Sequence, residues 1–132
     1  MKPTLTQIIF NTQSPWDNPY QGKDKKVLFV CSAGILRSAT AARIFSDKFN
    51  TRACGSMYSA LIPISGELIA WADEIAFMHK ENYSDVKQSF DWDSIKAKKN
   101  VFVLNIPDQY AYMDATLISE LRQQYERIVN EE

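Results

Sequence analysis

The chain has 132 residues, 45% hydrophobic and 23% charged, with a formal net charge of -1. That is the size of one domain, able to bury about two-thirds of the surface its unfolded chain exposes, and so small a net charge supplies no general field for gathering nucleic acid or an anionic membrane. No apolar run approaches the roughly 18 residues of a membrane span, residues 1–16 lack the apolar core and cleavage site of a signal peptide, and two cysteines do not make a disulfide framework; the expectation is a cytoplasmic chain with reduced thiols, no membrane partner and no nucleic-acid partner.

In chain order, residues 1–25 read as an N-terminal arm or loop. "TLTQIIF" could be a short helix or strand, and "NTQSPWDNPYQGKDKK" is rich in turn formers. Residues 26–132 then read as a single α/β domain. "KVLFVC" (26–31) is apolar throughout, the mark of a strand buried on both faces. "SATAARIFSDKF" (38–49) places Ala41, Ala42, Phe45 and Phe49 at helical spacing. A short strand is expected over 52–57, a helix over 64–72 capped by Ser65, and a third buried strand over 74–79. "NYSDVKQSF" reads as a short helix or turn, and "DWDSIKAKK" as surface, with Asp91 and Asp93 solvated, Trp92 in a loop and Lys96–Lys99 in a surface turn. A fourth strand is expected over 100–105, then a loop broken by Pro107. The clearest helix covers 114–129, with Asp114 as N-cap and Leu117, Leu121, Tyr125 and Ile128 on one face. The alternation predicts an open four-stranded parallel sheet with helices on both faces. Such sheets bind ligands outside the carboxyl ends of their strands, where Cys31 and Asp108 both fall.

Between the first strand and first helix stands "CSAGILRS" (31–38). A turn entering a helix leaves unpaired N–H groups, and Ala33 and Gly34 permit tight curvature. Such a nest, with the helix dipole behind it, suits an anion. Arg37 could add a planar fork that matches two phosphate oxygens. The same field favours the ionised form of a cysteine at its base, and Ser38 could donate to that sulfur. Residues 31–38 are therefore expected to bind phosphate, through Ser32, Ala33, Gly34, Ile35, Leu36, Arg37 and Ser38, and to present Cys31 as a nucleophile. The competing reading is a buried structural cysteine and a surface arginine.

The stretch "VLFVCSAGILRSATAARIF" resembles the signature of the low-molecular-weight protein tyrosine phosphatases, a loop of the form Cys-x5-Arg-Ser after the first strand. "ADEIAFMHKEN" (72–82) is similar to the family's third strand and following turn, and "VLNIPDQYAYMD" (103–114) to its acid loop. The resemblance covers about residues 26 to 129, with a shortened middle, and fits a compact, divergent branch. It implies hydrolysis of a phosphomonoester, a phosphorylated protein or small phosphate ester, through cysteinyl-phosphate and without a cofactor. Cys31 would be the nucleophile, Arg37 the phosphate-binding arginine, Ser38 the thiolate partner and Asp108 the general acid. The chain departs from the family pattern in three places. Ala33 and Gly34 stand where a glycine and a bracing asparagine usually lie, Leu36 where a second cysteine often lies, and Pro107 precedes Asp108 instead of following it.

Other residues carry less chemistry. Asp108 could instead cap a turn, and Asp114, the competing acid, is better read as a helix cap. Tyr110 and Tyr112 could line the substrate cleft or pack the start of the last helix. Trp16 could wall a pocket or anchor its loop, and Trp71 reads as core. His79, the single histidine, reads as a polar strand end, and no metal site is implied. Cys54 reads as a small buried residue, with a disulfide to Cys31 as the minor alternative. A non-catalytic phosphate-recognition domain and a thiol-relay arsenate reductase are the competing functions.

Overall fold

The computed structural model describes residues 21–131; the readings of 1–20, Trp16 included, lie outside the described residues. The strands are β1 (Lys26–Cys31), β2 (Asn50–Gly55), β3 (Glu74–Phe77) and β4 (Asn100–Val103). The helices are α1 (Arg37–Ile44), α2 (Gly66–Trp71), α3 (Lys80–Val86), α4 (Trp92–Lys98) and α5 (Ala115–Glu131). The strands form one parallel sheet in the order β2-β1-β3-β4.

The apolar run of β1 is explained by burial from both sides. Val27, Phe29 and Cys31 face a core closed by Ala41, Ala42 and Phe45 of the α1 region and Leu117, Leu121 and Tyr125 of α5. Leu28 and Val30 face a second core with Leu68 and Ile69 of α2, Val86 of α3 and Trp92 of α4. Each large apolar side chain so buried contributes about 1.5–3 kcal/mol of transfer free energy. Helices therefore cover both faces, as expected.

The element bounds differ from the sequence reading where polar residues are buried or caps are hidden. β2 begins at Asn50, not at 52, because two polar residues enter the ladder with their groups satisfied. Thr51 Oγ1 donates to the Ala42 carbonyl at 2.6 Å, and Asn50 Oδ1 accepts from Arg52 Nη1 at 2.7 Å. The arm is not detached throughout: Gln21 is buried and its Oε1 accepts the Thr51 N–H at 3.0 Å. β3 stops at Phe77, and His79 is a helix N-cap, its Nδ1 accepting from the Glu81 N–H at 3.3 Å. "DWDSIKAKK" is not simple surface. Asp91 caps α4, and Trp92 is core, its ring edge-on to Phe77, Tyr83 and Phe90 and its Nε1 donating to the Val86 carbonyl at 3.0 Å. Lys99 is not a solvated turn residue either. Its Nζ donates to the Ile69, Ala70 and Ala72 carbonyls at the end of α2, where a cation also meets the helix dipole favourably. Trp71 is only half-buried and stacks under the Arg52 guanidinium, 4.9 Å from the ring centre. Ser65 and Asp114 cap α2 and α5 as the sequence suggested.

Candidate phosphate-binding site

The strand order sets the site. From β1 the chain moves outward to β2 through α1, then crosses back over β1 to β3. Connections leave β1 and β3 in opposite directions, so a crevice opens between their carboxyl ends. Residues 32–36, the turn after β3 and the loop between β4 and α5 all lie on this edge.

Gly34 has φ +78°, in the left-handed region, and its N–H points to Cys31 Sγ at 3.2 Å. A Cβ at Gly34 would stand 2.8 Å from the Cys54 carbonyl carbon and 2.9 Å from the Gly55 nitrogen. The loop thus presses on the β2 backbone with no room for a side chain at this position. Gly55 meets it from the other side: a Cβ there would lie 2.5 Å from the Ser32 oxygen. The contact is fixed by bonds from Ser56 N to the Cys31 oxygen (2.7 Å) and from Met57 N to the Ser32 oxygen (3.1 Å).

Ser38 Oγ lies 3.0 Å from Cys31 Sγ and 3.3 Å from the Cys54 carbonyl. The sulfur therefore accepts from a backbone N–H and lies beside a hydroxyl whose single proton has two acceptors in reach, that sulfur and the Cys54 carbonyl. The N–H groups of Ile35, Leu36, Arg37 and Ser38 find no acceptor among the described residues, and Leu36, at the N-cap of α1, makes no side-chain cap bond. The start of α1 keeps free the donors an anion would use.

Arg37 is 2% exposed, which removes the surface-arginine reading. Its Nη1 donates to the Ile106 carbonyl at 2.8 Å and its Nη2 to Ser32 Oγ at 3.1 Å. Nε makes no hydrogen bond and lies 3.8 Å from Asp108 Oδ1. A guanidinium carries five N–H donors, so three remain for a ligand. Asp108 is 62% exposed at its side chain. Cys31, Arg37, Ser38 and Asp108 are thus brought to one edge.

Tyr110 is half-buried and packs against the core shared by α1 and α5. The Tyr112 hydroxyl accepts from Arg43 Nη1 at 3.4 Å. Both contacts belong to the seating of the loop between β4 and α5 on α1, as does the bond from Met113 N to Thr40 Oγ1 at 2.9 Å. Cys54 joins the core on the opposite face of the sheet from Cys31, and both thiols are free. Burial, and secondarily the neighbouring Cys31, pushes the Cys54 thiol well above its ordinary value, which favours its protonated form.

Sequence reasoning missed Asn82. It sits in the first turn of α3, 1% exposed, and its Nδ2 donates to Ser32 Oγ at 3.0 Å and to Ser56 Oγ at 3.4 Å. Ser56 Oγ in turn donates to Asp85 Oδ2 at 2.7 Å. The one available signal was position: a polar residue just past the carboxyl end of a strand at the switch point. Four exposed large apolar residues also flank this edge, Ile35 in the loop after β1 and Met57, Tyr58 and Leu61 in the loop after β2. Among the described residues no helix is long and apolar enough to cross a membrane, and no cluster of His, Cys, Asp or Glu could hold a metal ion. Compared with family models, curated proteins and solved structures, the chain has no significant match to any of them.

Proposed function

We propose that the protein is a cysteine-dependent phosphatase acting on phosphomonoesters, phosphotyrosine above all, in the cytoplasm. The observation that carries this reading is the Cys31 sulfur, held between the Gly34 N–H and the Ser38 hydroxyl at the base of a loop whose arginine is buried. In the proposed reaction the Cys31 sulfur attacks phosphorus while the bond to the leaving oxygen breaks, and Asp108 gives that oxygen its proton. Water then adds to phosphorus and gives a proton back to the Asp108 carboxylate, the sulfur departs as thiolate, and inorganic phosphate is released. Arg37 and the free loop N–H groups meet the charge that spreads over the equatorial oxygens. The apolar residues Ile35, Met57, Tyr58 and Leu61 favour an aryl or peptide substrate over a small polar metabolite. The exposed, arginine-paired Asp108 is the observation that favours a second reading, a phosphopeptide-recognition domain with the cradle but without turnover. A thiol-relay arsenate reductase draws no support from Cys54, which is protonated and on the far face. The deciding experiment is turnover of an aryl phosphate by wild type and by Cys31→Ser, with vanadate as inhibitor. Activity that vanishes in Cys31→Ser supports the enzyme; oxyanion binding with no turnover between about pH 4 and 8 gives the recognition domain instead.

A further inference from the structure

Ser32 follows the proposed nucleophile, and its hydroxyl has unusual company. Arg37 Nη2 lies 3.1 Å away and Asn82 Nδ2 3.0 Å away. Neither nitrogen has a lone pair to offer, so both donate and Ser32 Oγ accepts twice. A hydroxyl oxygen has two lone pairs and one proton. With both lone pairs filled, the proton is left for a third partner, and none of the described residues accepts it. Ser32 itself is part-buried, whereas Arg37 and Asn82 are 2% and 1% exposed. Two buried donors therefore hold a part-buried hydroxyl whose proton meets no acceptor among the described residues.

We infer that Ser32 donates its hydroxyl proton to the bound phosphoryl group, and that Asn82 is the positioning residue that, together with Arg37, keeps it so turned. This rests on reading residues 31–38 as the phosphate site. The amide of Asn82 is itself oriented by a second bond, to Ser56 Oγ, which Asp85 anchors. Its Oδ1 stays buried without a partner. Ser32 also joins the arginine to the loop: the hydroxyl that takes one N–H of the Arg37 fork returns its own proton to the ligand that Arg37 binds.

The test is affinity for tungstate, measured by titration calorimetry on the full chain, in a cycle of Ser32→Ala, Asn82→Ala and the double variant. Ser32→Ala should weaken binding on the order of 10-fold or more, the loss of one hydrogen bond to a charged group. Asn82→Ala should weaken it by a smaller factor, and the double variant should be no worse than Ser32→Ala, because Asn82 acts through Ser32. Ser32→Thr, which keeps the hydroxyl, should restore most of the affinity. Independent, multiplying losses in the double variant would overturn the inference, as would a Ser32→Ala variant that melts normally and binds tungstate like wild type. A wild type that binds no tungstate overturns the phosphate site and this inference with it, so the two failures are told apart.

Discussion

Replacing Gly34 by alanine tests how the fold and the proposed site depend on one backbone position. At φ +78° an L-residue costs about 1–2 kcal/mol in the left-handed region. The added methyl would also meet the Cys54 carbonyl carbon at 2.8 Å and the Gly55 nitrogen at 2.9 Å. Those atoms are β2 backbone, tied into the sheet beside Val30 and Cys31, and cannot swing away as a side chain would. Overpacking of that kind costs about 1–3 kcal/mol, so the sum is about 2–5 kcal/mol. For a domain of this size that lowers the melting temperature by roughly 10–20 °C. Because the Gly34 N–H also faces Cys31 Sγ, any relief by shifting the loop should abolish tungstate binding. The assay is thermal denaturation with and without tungstate. Gly66→Ala is the control: a Cβ there meets nothing within 4 Å, at the first residue of α2, and should be neutral or stabilising by up to about 1 kcal/mol. A Gly34→Ala protein that melts within about 2 °C of wild type and still responds to tungstate would refute the close-approach argument.

Asp108→Asn should slow aryl phosphate turnover about 10²–10⁴-fold while tightening inhibition by inorganic phosphate, since it removes a carboxylate that faces Arg37 Nε at 3.8 Å; steady-state kinetics with phosphate as competitor reads both. Cys54 keeps its proton in the folded state, its thiol being raised well above 9.0, whereas the unfolded chain releases it near the ordinary thiol value. The contribution is therefore full below that value and falls by up to ~1.4 kcal/mol per pH unit above it, and Cys54→Ala should flatten the alkaline slope in urea melts. Trp92→Ala should cost about 3–5 kcal/mol, measured by urea denaturation, because the ring is buried among Phe77, Tyr83 and Phe90; a loss under about 1 kcal/mol would return Trp92 to the surface.

The sheet was legible because β1 and β3 are apolar on both faces and the long helix keeps its spacing through Leu117, Leu121 and Tyr125. Those are one-dimensional signals. The misread elements were those whose reason lies across the fold. Asn50 and Thr51 look unlike strand residues until Ala42, Arg52 and Gln21 satisfy them. Trp92, between two acidic residues, looks solvated until Asp91 turns the chain into α4 and buries the ring. His79 caps a helix through one ring nitrogen, which no periodicity reveals. The proposed site divides the same way. Cys31, Arg37 and Ser38 share a local motif and could be named from spacing. Asn82 reaches Ser32 across 50 residues of sequence and belongs to the site only because β3 lies beside β1.

The two ends of the sheet solve the burial of charge in opposite ways, and the contrast argues for a ligand. At the amino end, Glu74 is 1% exposed, but Lys25 Nζ meets one carboxylate oxygen at 2.9 Å and the Tyr125 hydroxyl donates to the other at 2.5 Å. That buried charge is closed by its own neighbours, as stability requires. At the carboxyl end, Arg37 is buried almost as deeply, yet its nearest carboxylate, on the exposed Asp108, stands 3.8 Å from a nitrogen that makes no hydrogen bond. Beside it lie a part-buried Ser32 hydroxyl with both lone pairs taken and a row of loop N–H groups without acceptors among the described residues. A core that only needed to be stable would fill such a place with apolar side chains, often at no loss. The surplus donors at this edge, Arg37 Nε and the loop N–H groups, lack a common acceptor among the described residues, and a phosphate is what the proposed function would supply there.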